Sequence, residues 1–257
     1  MSQIYSKTNK SLSSVSNALR ILNCFTRENS ERRVTDISLE LGIGKSTVSR
    51  LLTTLLNEGY VRKNNETRKY ELGLRILTLH NTLMFNLEII KEARPILKNL
   101  ANETLEAVQI AELEDLNVIY VDQIKSIHPT KILAHIGRVN PVHCTSSGKL
   151  LLAYQNQDKI DDILKNEFKK YTKYTITNPN ILLKELKEIK EKGYCISVNE
   201  FIENVISISA PIVDVHKNII AAVSVVGPTQ RINGKKISNF TNKVIEAGKE
   251  MSRRINY

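Results

Sequence analysis

The sequence predicts an α+β protein built in two parts, and three observations support this fold class. Residues 12–60 show helical periodicity, whereas residues 107–226 combine short apolar strands with amphipathic helices. The length of 257 residues is enough for two domains that each bury a core. Charge is unevenly distributed, because residues 1–75 carry +6 of the total of +10. The N-terminal part therefore favours a polyanionic partner.

Composition excludes several classes of protein. A hydrophobic content of 41% and a charged content of 25% are typical of a globular protein. No apolar run reaches the ~18 residues that a membrane span needs, and the N-terminus lacks the apolar core of a signal peptide. We expect a cytoplasmic protein with no membrane partner and no cofactor. The cysteines, Cys24, Cys144 and Cys195, are too scattered for a disulfide framework or a zinc-binding CxxC pair.

The N-terminal part begins with a helix and continues with two short helices around a glycine-containing turn. The first helix is predicted from one apolar face, formed by Val15, Ala18, Leu19, Leu22 and Phe25. Residues 35–50 read TDISLELGIGKSTVSR, with Gly42 and Gly44 at the turn. We expect Thr35 and Ser46 to cap the two helices. The last helix carries an apolar stripe, formed by Val48, Leu51, Leu52 and Leu55.

The side chains that lie off this stripe are small, polar or basic. They are Lys45, Ser46, Thr47, Ser49 and Arg50. This composition is typical of a recognition helix that contacts phosphates and base edges in double-stranded DNA. Residues 60–63 and 68–72 then alternate around a turn-forming tetrad, which predicts a hairpin, or wing, with Lys63, Arg68 and Lys69 beside the DNA backbone. Alternatively, these wing cations protect an exposed strand edge.

The helix-turn-helix stretch has two other interpretations. Gly44-Lys45-Ser46-Thr47 matches the end of a phosphate-binding loop, but the glycine required five residues earlier is replaced by Leu39, within a helical pattern. The stretch could also be two packed helices without any role in DNA binding.

The rest of the chain supplies a connecting helix and a mixed domain. Residues 74–85 have an apolar stripe, containing Ile76, Leu77, Leu79 and Leu83, that is too long to stay exposed on a monomer, so we expect a dimer contact. After a helix over 87–104, in which Pro95 marks a start or a kink, strands are predicted over 107–113, 118–124 and 131–136. Helices over 148–154, 159–168 and 181–192, strands over 194–198, 205–215 and 219–226, and a helix over 235–255 follow. This order favours an antiparallel sheet covered by helices.

The chain resembles the IclR family of bacterial transcriptional regulators over nearly its whole length. In the N-terminal part the resemblance lies in SVSNALRIL, DISLELGIGKSTVSRLLTTLLNEGYV and YELGLRIL, and in the C-terminal part in PVHCTSSGK, followed by LLLA, and in Ser209-Ala210-Pro211. The resemblance implies a winged helix-turn-helix that binds operator DNA as a dimer, a linker helix and a GAF-like effector domain. The expected boundaries are a flexible arm over 1–11 and domains over 12–73, 74–88 and 89–257.

By this resemblance, the effector cavity is lined by residues of one loop and three strands. The matching positions are Ser146, Ser147, Ser197, Ser207, Ser224 and Val226. Neutral hydroxyl groups around a helix start suit a small carboxylate or a sugar acid. Each serine is equally interpretable as a small residue on a strand. Two positions depart from the family pattern, since some members carry an acid at Ser197 and a glycine is usual at Asn204.

The same region admits catalytic and metal-binding alternatives. Ser146 and Lys149 have the spacing of a Ser-x-x-Lys nucleophile, but no recognisable oxyanion hole or further partner accompanies them. His143, Cys144 and Cys195 would need a fourth ligand to hold a metal, so a satisfied core histidine and buried thiols are favoured.

The sequence therefore predicts a ligand-responsive transcriptional repressor of a catabolic operon, acting as a homodimer or dimer of dimers and without enzymatic activity. Its effector is expected to be an organic or sugar acid, with sugar, aromatic and short keto acids all open. The alternative is a cytoplasmic small-molecule enzyme whose helical domain only mediates oligomerisation.

Overall fold

The computed structural model describes residues 13–26, 28–86, 88–128 and 136–255. Residues up to 86 form one compact unit, and residues from 87 onward form a second one. The predicted arm over 1–11 lies outside the described residues, as does the predicted strand over 131–136 except for its last residue, which is in a turn. In the part of the chain that is described, no helix is both long and apolar enough to span a membrane.

The N-terminal unit is three helices, a two-stranded hairpin and a fourth helix. The helices are α1 (Ser13–Asn23), α2 (Val34–Leu41), α3 (Lys45–Asn57) and α4 (Arg75–Asn86). The hairpin pairs β1 (Val61–Lys63) with β2 (Tyr70–Leu72) in antiparallel register. One small core holds this unit together through Ile21, Cys24, Phe25, Ile37, Val48, Leu52, Leu55, Val61 and Tyr70. The predicted winged helix-turn-helix is present.

Two local expectations for this unit are wrong. In α1, Val15 and Leu19 are 54% and 57% exposed, whereas Ile21 is fully buried. The small core is reached by the C-terminal half of α1, so only that half is buried. The helix starts also differ, because α2 begins after Arg33 and α3 begins after Gly44, without a side-chain cap at Gly44. Ser46 is the second residue of α3, and Thr35 donates to Asp36 Oδ1 at 3.2 Å.

The turn between α2 and α3 depends on one glycine. Gly42 has φ = 67°, a left-handed conformation that disfavours residues with a Cβ atom. Ser38 then fixes the following residue, because its hydroxyl donates to the Ile43 carbonyl at 2.6 Å while its own carbonyl accepts from the Ile43 N–H at 3.2 Å. This turn directs the start of α3 away from the core.

The C-terminal unit is a six-stranded antiparallel sheet with the order β5-β4-β3-β8-β7-β6. Its strands are β3 (Ala107–Glu114), β4 (Asn117–Ile124), β5 (Val139–Pro141), β6 (Cys195–Val198), β7 (Val205–Val213) and β8 (Ile219–Pro228). Its helices are α5 (Glu88–Thr104), α6 (Ser146–Ala153), α7 (Gln157–Leu164), α8 (Pro179–Lys192) and α9 (Lys235–Ile255). The α+β class is confirmed, and β5 is a strand that the sequence did not predict. Helix α5 continues through Pro95.

The helices cover both faces of this sheet. Helices α5 and α9 pack on one face, and α6 packs on the other with α8 against it. Every residue of α6 is buried, and its start is crowded: a Cβ atom on Gly148 would lie 2.4 Å from the Val142 carbonyl oxygen. Thr145 caps α6, because its hydroxyl oxygen accepts from the Gly148 N–H at 3.2 Å. The loop before α6 is thereby held over the centre of the sheet.

Candidate DNA-binding surface and effector cavity

The recognition helix α3 separates its apolar and polar residues completely. Val48 and Leu52 are fully buried and Leu55 is 9% exposed, so one face is fixed in the core. The predicted contact residues, Lys45, Ser46, Thr47, Ser49 and Arg50, are all exposed. They occupy the first two turns of the helix, where the N-terminal end favours phosphate groups. This surface can therefore meet DNA without any rearrangement of the core.

The wing residues have different surroundings. The Lys63 ammonium lies 5.2 Å from the centre of the Tyr70 ring, and Lys69 forms a 3.2 Å ion pair with Glu31. Arg68 is exposed at the tip, where its φ of 58° is left-handed. Asn64 organises this tip, because its side-chain oxygen accepts from the N–H groups of Glu66 and Thr67 at 2.9 and 3.1 Å. Arg68 is thus presented by a defined turn.

The C-terminal unit contains a cavity of about 50 Å³ between the start of α6 and the sheet. Three residues proposed from the sequence line it, namely Ser197, Ser207 and Val226. The other wall residues are Gln109, Tyr120, Arg138, Asn140, Cys144, Thr145, Glu200, Phe201, Ile202 and Val205. The cavity is thus a small space inside the sheet domain whose wall carries several polar side chains.

Sequence reasoning missed most of the polar wall. Arg138 Nε donates to Asn140 Oδ1 at 3.0 Å, and the Arg138 guanidinium lies 5.9 Å from the centre of the Phe201 ring. Asn140 also contacts the buried Tyr120 hydroxyl at 3.4 Å. Arg138 and Asn140 immediately precede the Pro141-Val142 motif, and this proximity was the only signal that could have indicated them. They add a cation and an amide to the serine hydroxyls.

The other three predicted effector residues belong to a serine cluster. Ser146 and Ser147 place their hydroxyl oxygens 2.5 and 3.2 Å from the Ser209 hydroxyl oxygen. Ser224 is opposite both Ser209 and Gln109 in the sheet register, and its buried hydroxyl has no partner among the described residues. Ser209 was not singled out from the sequence, although it is the residue through which β7 is bonded to α6.

Lys149 lies in a buried ionic network. Its ammonium is fully buried and donates to Glu185 Oε1 at 2.5 Å and to Glu200 Oε1 at 2.6 Å. Burial opposes its charge, but the neighbouring Cys195, Glu200 and Glu185 together raise the pKa of Lys149 above its ordinary value. Both hydrogen bonds engage the Lys149 ammonium with carboxylates, so the Ser-x-x-Lys pattern here joins α6 to α8 and to the residues after β6.

The candidate metal ligands His143, Cys144 and Cys195 are buried side chains of the C-terminal unit. His143 Nε2 donates to the Lys169 carbonyl at 3.0 Å, its ring stacks on Phe168 at 4.8 Å, and burial lowers its pKa. Burial raises the pKa of Cys195 to about 12 and also raises that of Cys144. Within the described residues, no group of three or more His, Cys, Asp or Glu side chains is arranged to hold a metal ion.

A winged helix-turn-helix unit with an exposed recognition helix and a sheet domain with a polar cavity define a class, the ligand-responsive DNA-binding regulators of transcription. Within that class, the chain belongs to the IclR family. Residues 14–65 match the IclR helix-turn-helix domain, and residues 81–253 match the C-terminal domain of the bacterial IclR transcriptional regulators. The resemblance inferred from sequence motifs is confirmed.

Individual relatives agree with this assignment along the full chain. The transcriptional regulator KdgR of Escherichia coli is 30% identical over 247 residues, which span 95% of this chain and 94% of KdgR. The transcriptional repressor IclR of the same organism is 28% identical over 242 residues, or 93% of this chain and 88% of the repressor. A crystal structure of an IclR homologue from Microbacterium hydrocarbonoxydans, complexed with 4-hydroxybenzoate, has a TM-score of 0.82 at 23% identity and covers 94% of this chain and 98% of its own.

Proposed function

We propose that this regulator is a cytoplasmic repressor of a catabolic operon that binds a roughly palindromic operator and releases it when an organic or sugar acid binds. The observation that carries the DNA-binding part is the exposure of Lys45, Ser46, Thr47, Ser49 and Arg50 on a helix fixed by its buried face. Arg50, Ser46 and Thr47 would contact bases, while Lys45, Ser49, Lys63, Arg68 and Lys69 would contact phosphates. The transcriptional repressor IclR, which is 28% identical to this chain, supports repression rather than activation.

The proposed domain limits follow the sequence. Residues 12–73 would bind DNA, 74–88 would connect, and 89–257 would bind the effector. Two chains would assemble through α4, where Leu77, Leu79 and Leu83 are 51–59% exposed, together with Leu74 just before it, which is 69% exposed. A dimer places two recognition helices in successive major grooves, about one helical turn apart.

The proposed effector is an acid, bound in the cavity near Arg138. The guanidinium of Arg138 and the amide of Asn140 suit a carboxylate, and Ser197 and Ser207 add hydroxyl groups to the wall. Ser146, Ser147 and Ser224 would then support the site through Ser209. The 4-hydroxybenzoate complex of the solved homologue supports an acid as ligand.

The size of the cavity provides a mechanism for the response. A cavity of about 150 Å³ accommodates benzene, so a cavity of about 50 Å³ must open before it admits a ring-sized acid. A ligand that binds only the open form shifts the population toward that form, and DNA affinity changes if the two forms differ in how they place the recognition helices.

Titration of the full chain against labelled promoter fragments at two salt concentrations tests the DNA-binding proposal. We expect selective binding to one fragment, with an affinity that falls steeply between about 50 and 200 mM salt because phosphate contacts release counterions. A screen of metabolic acids by thermal shift then identifies ligands of the folded protein. Binding without sequence preference, or turnover of an acid, would favour the enzyme alternative instead.

A further inference from the structure

Two cavity residues each bury an oxygen atom that accepts no hydrogen bond. Among the described residues, the buried side-chain oxygens or nitrogens without a partner are Gln109 Oε1, Asp122 Oδ2, Asn199 Oδ1, Glu200 Oε2 and Ser224 Oγ. Only Gln109 and Glu200 of this set also line the cavity. Gln109 is 1% exposed and Glu200 is 8% exposed, so bulk water does not reach them freely. Buried acceptors without donors are unfavourable, and a ligand that brings a donor removes that penalty.

The charge around Glu200 further favours a ligand that donates a hydrogen bond to this carboxylate. Lys149 is shared by two carboxylates, Glu185 and Glu200, so this group carries one negative charge more than positive. Glu200 Oε1 accepts from Lys149, which leaves Oε2 available. Burial raises the pKa of Glu200, and Lys149 opposes that shift, as expected for a carboxylate with incomplete compensation.

Ser197 is the neighbouring donor within the protein. Its hydroxyl helps to lower the pKa of Glu200, but its hydrogen bond is directed to the Cys144 carbonyl oxygen at 3.4 Å. A hydroxyl has one hydrogen to donate, so Ser197 cannot satisfy both acceptors at once.

We infer that Glu200 is a specificity-determining residue that requires a hydroxyl group on the effector. This inference rests on the proposed function and narrows its ligand class to hydroxylated acids, with the carboxylate toward Arg138 and a hydroxyl donating to Glu200 Oε2. A keto acid presents only acceptor oxygens, which would repel the free carboxylate oxygen. An ammonium group could also donate, but a neutral hydroxyl loses less hydration on entering a buried site.

The test compares matched acids by isothermal titration on the full chain. The pairs are lactate and pyruvate, 4-hydroxybenzoate and benzoate, and gluconate and hexanoate, with alanine as the ammonium analogue of lactate. For at least one pair, we expect the hydroxylated acid to bind about tenfold more tightly, because a hydrogen bond to a charged group is among the stronger ones.

Two variants then separate recognition from fold. Glu200→Gln removes the charge of the cavity carboxylate, so the preference should fall to about threefold, since charge-assisted hydrogen bonds are about twice as strong as neutral ones. Glu185→Gln removes the other carboxylate on Lys149, which does not line the cavity, so it should lower the preference less than Glu200→Gln does. The preference of the unmodified protein is measured first, so the test does not depend on Glu200→Gln folding.

Each remaining outcome is decisive. If the deoxy or keto member of the preferred pair binds equally well, an acid effector is supported and the role of Glu200 is overturned. Tighter binding of alanine than of lactate also overturns the requirement for a hydroxyl. Loss of preference in both variants would assign the effect to Lys149 rather than to Glu200. If no acid of the three pairs binds, the acid-effector proposal and this inference fail together.

Discussion

At the scale of single residues, the polar side chains at the start of α3 are exposed, and none of them caps the helix. Gly44 occupies the cap position, so Ser46 does not cap the helix, contrary to the expectation from the sequence. In the proposed complex, side chains at the start of α3 would offer hydroxyls to bases or phosphates, and Arg50 would add a guanidinium in the second turn of the helix. Arginine is the side chain that most often makes paired hydrogen bonds with guanine.

Substitution of Arg50 tests its assignment as a base-contacting residue. Arg50→Ala should weaken binding to the preferred promoter fragment by about 10- to 100-fold, because a bidentate base contact contributes about 1–3 kcal/mol, and should weaken binding to unrelated DNA much less. Fluorescence anisotropy with both fragments measures this difference.

Arg68→Ala is the matched comparison, since Arg68 is an exposed cation of the same unit on the wing. It should reduce both affinities by similar factors and lower the salt dependence by about one counterion. Equal losses on both fragments for Arg50→Ala would assign Arg50 to the DNA backbone.

At the scale of elements, α6 organises the effector domain. It packs against β6, β7 and β8 and against α8, and the loop before it supplies Cys144 and Thr145 to the cavity wall. The loop and helix approach so closely because Gly148 has no side chain to separate them from the Val142 backbone. The geometry of the cavity therefore depends on a residue that does not line it.

Gly148→Ala should destabilise the effector domain by about 1–3 kcal/mol, because the added methyl group would meet backbone atoms of Val142 at 2.4 and 2.5 Å. Calorimetric unfolding of the full chain measures the loss, and effector binding should weaken in parallel.

Gly44→Ala serves as control, since a Cβ atom there would have no neighbour within 4 Å. Its cost should stay below about 1 kcal/mol, arising only from a poorer helix cap. A Gly148→Ala protein as stable as the unmodified chain would show that this loop can move aside.

At the scale of the whole molecule, the exposed leucine side chains of α4 favour the association of two copies of the chain. Leu77, Leu79 and Leu83 are each more than half exposed on one helix of the N-terminal unit. Large apolar side chains grouped on a helix of a water-exposed unit are usually covered by a partner. A second copy of the chain is the partner that the proposed palindromic operator would require.

The double variant Leu77→Lys with Leu83→Lys should weaken dimerisation at least about 100-fold, because each buried leucine contributes about 1.5–3 kcal/mol and every copy loses two. Sedimentation equilibrium measures the association. Thr82→Lys, an exposed position on the same helix, adds one charge without removing apolar surface and should have a smaller effect. An unchanged dimer in the double variant would place the interface elsewhere.

The sequence alone determined the helix-turn-helix, the family and the order of the elements that the structure describes, with the exception of β5. These features depend on local periodicity, turn residues and motifs, all of which can be recognised in the linear sequence. The helical spacing of Ile37, Val48 and Leu52, for example, predicts that they are buried, and all three are buried. The exposure of Lys45, Ser46, Thr47, Ser49 and Arg50 follows from the same spacing.

Only the tertiary structure decided which residues share the cavity. Gln109, Arg138 and Glu200 come from three separate regions of the chain, and no local pattern joins them. Their proximity follows from sheet register and from the packing of α6, as does the pairing of Lys149 with Glu185 and Glu200. Whether a buried oxygen lacks a donor depends on every neighbour in three dimensions, so the requirement inferred for the ligand could not be drawn from sequence.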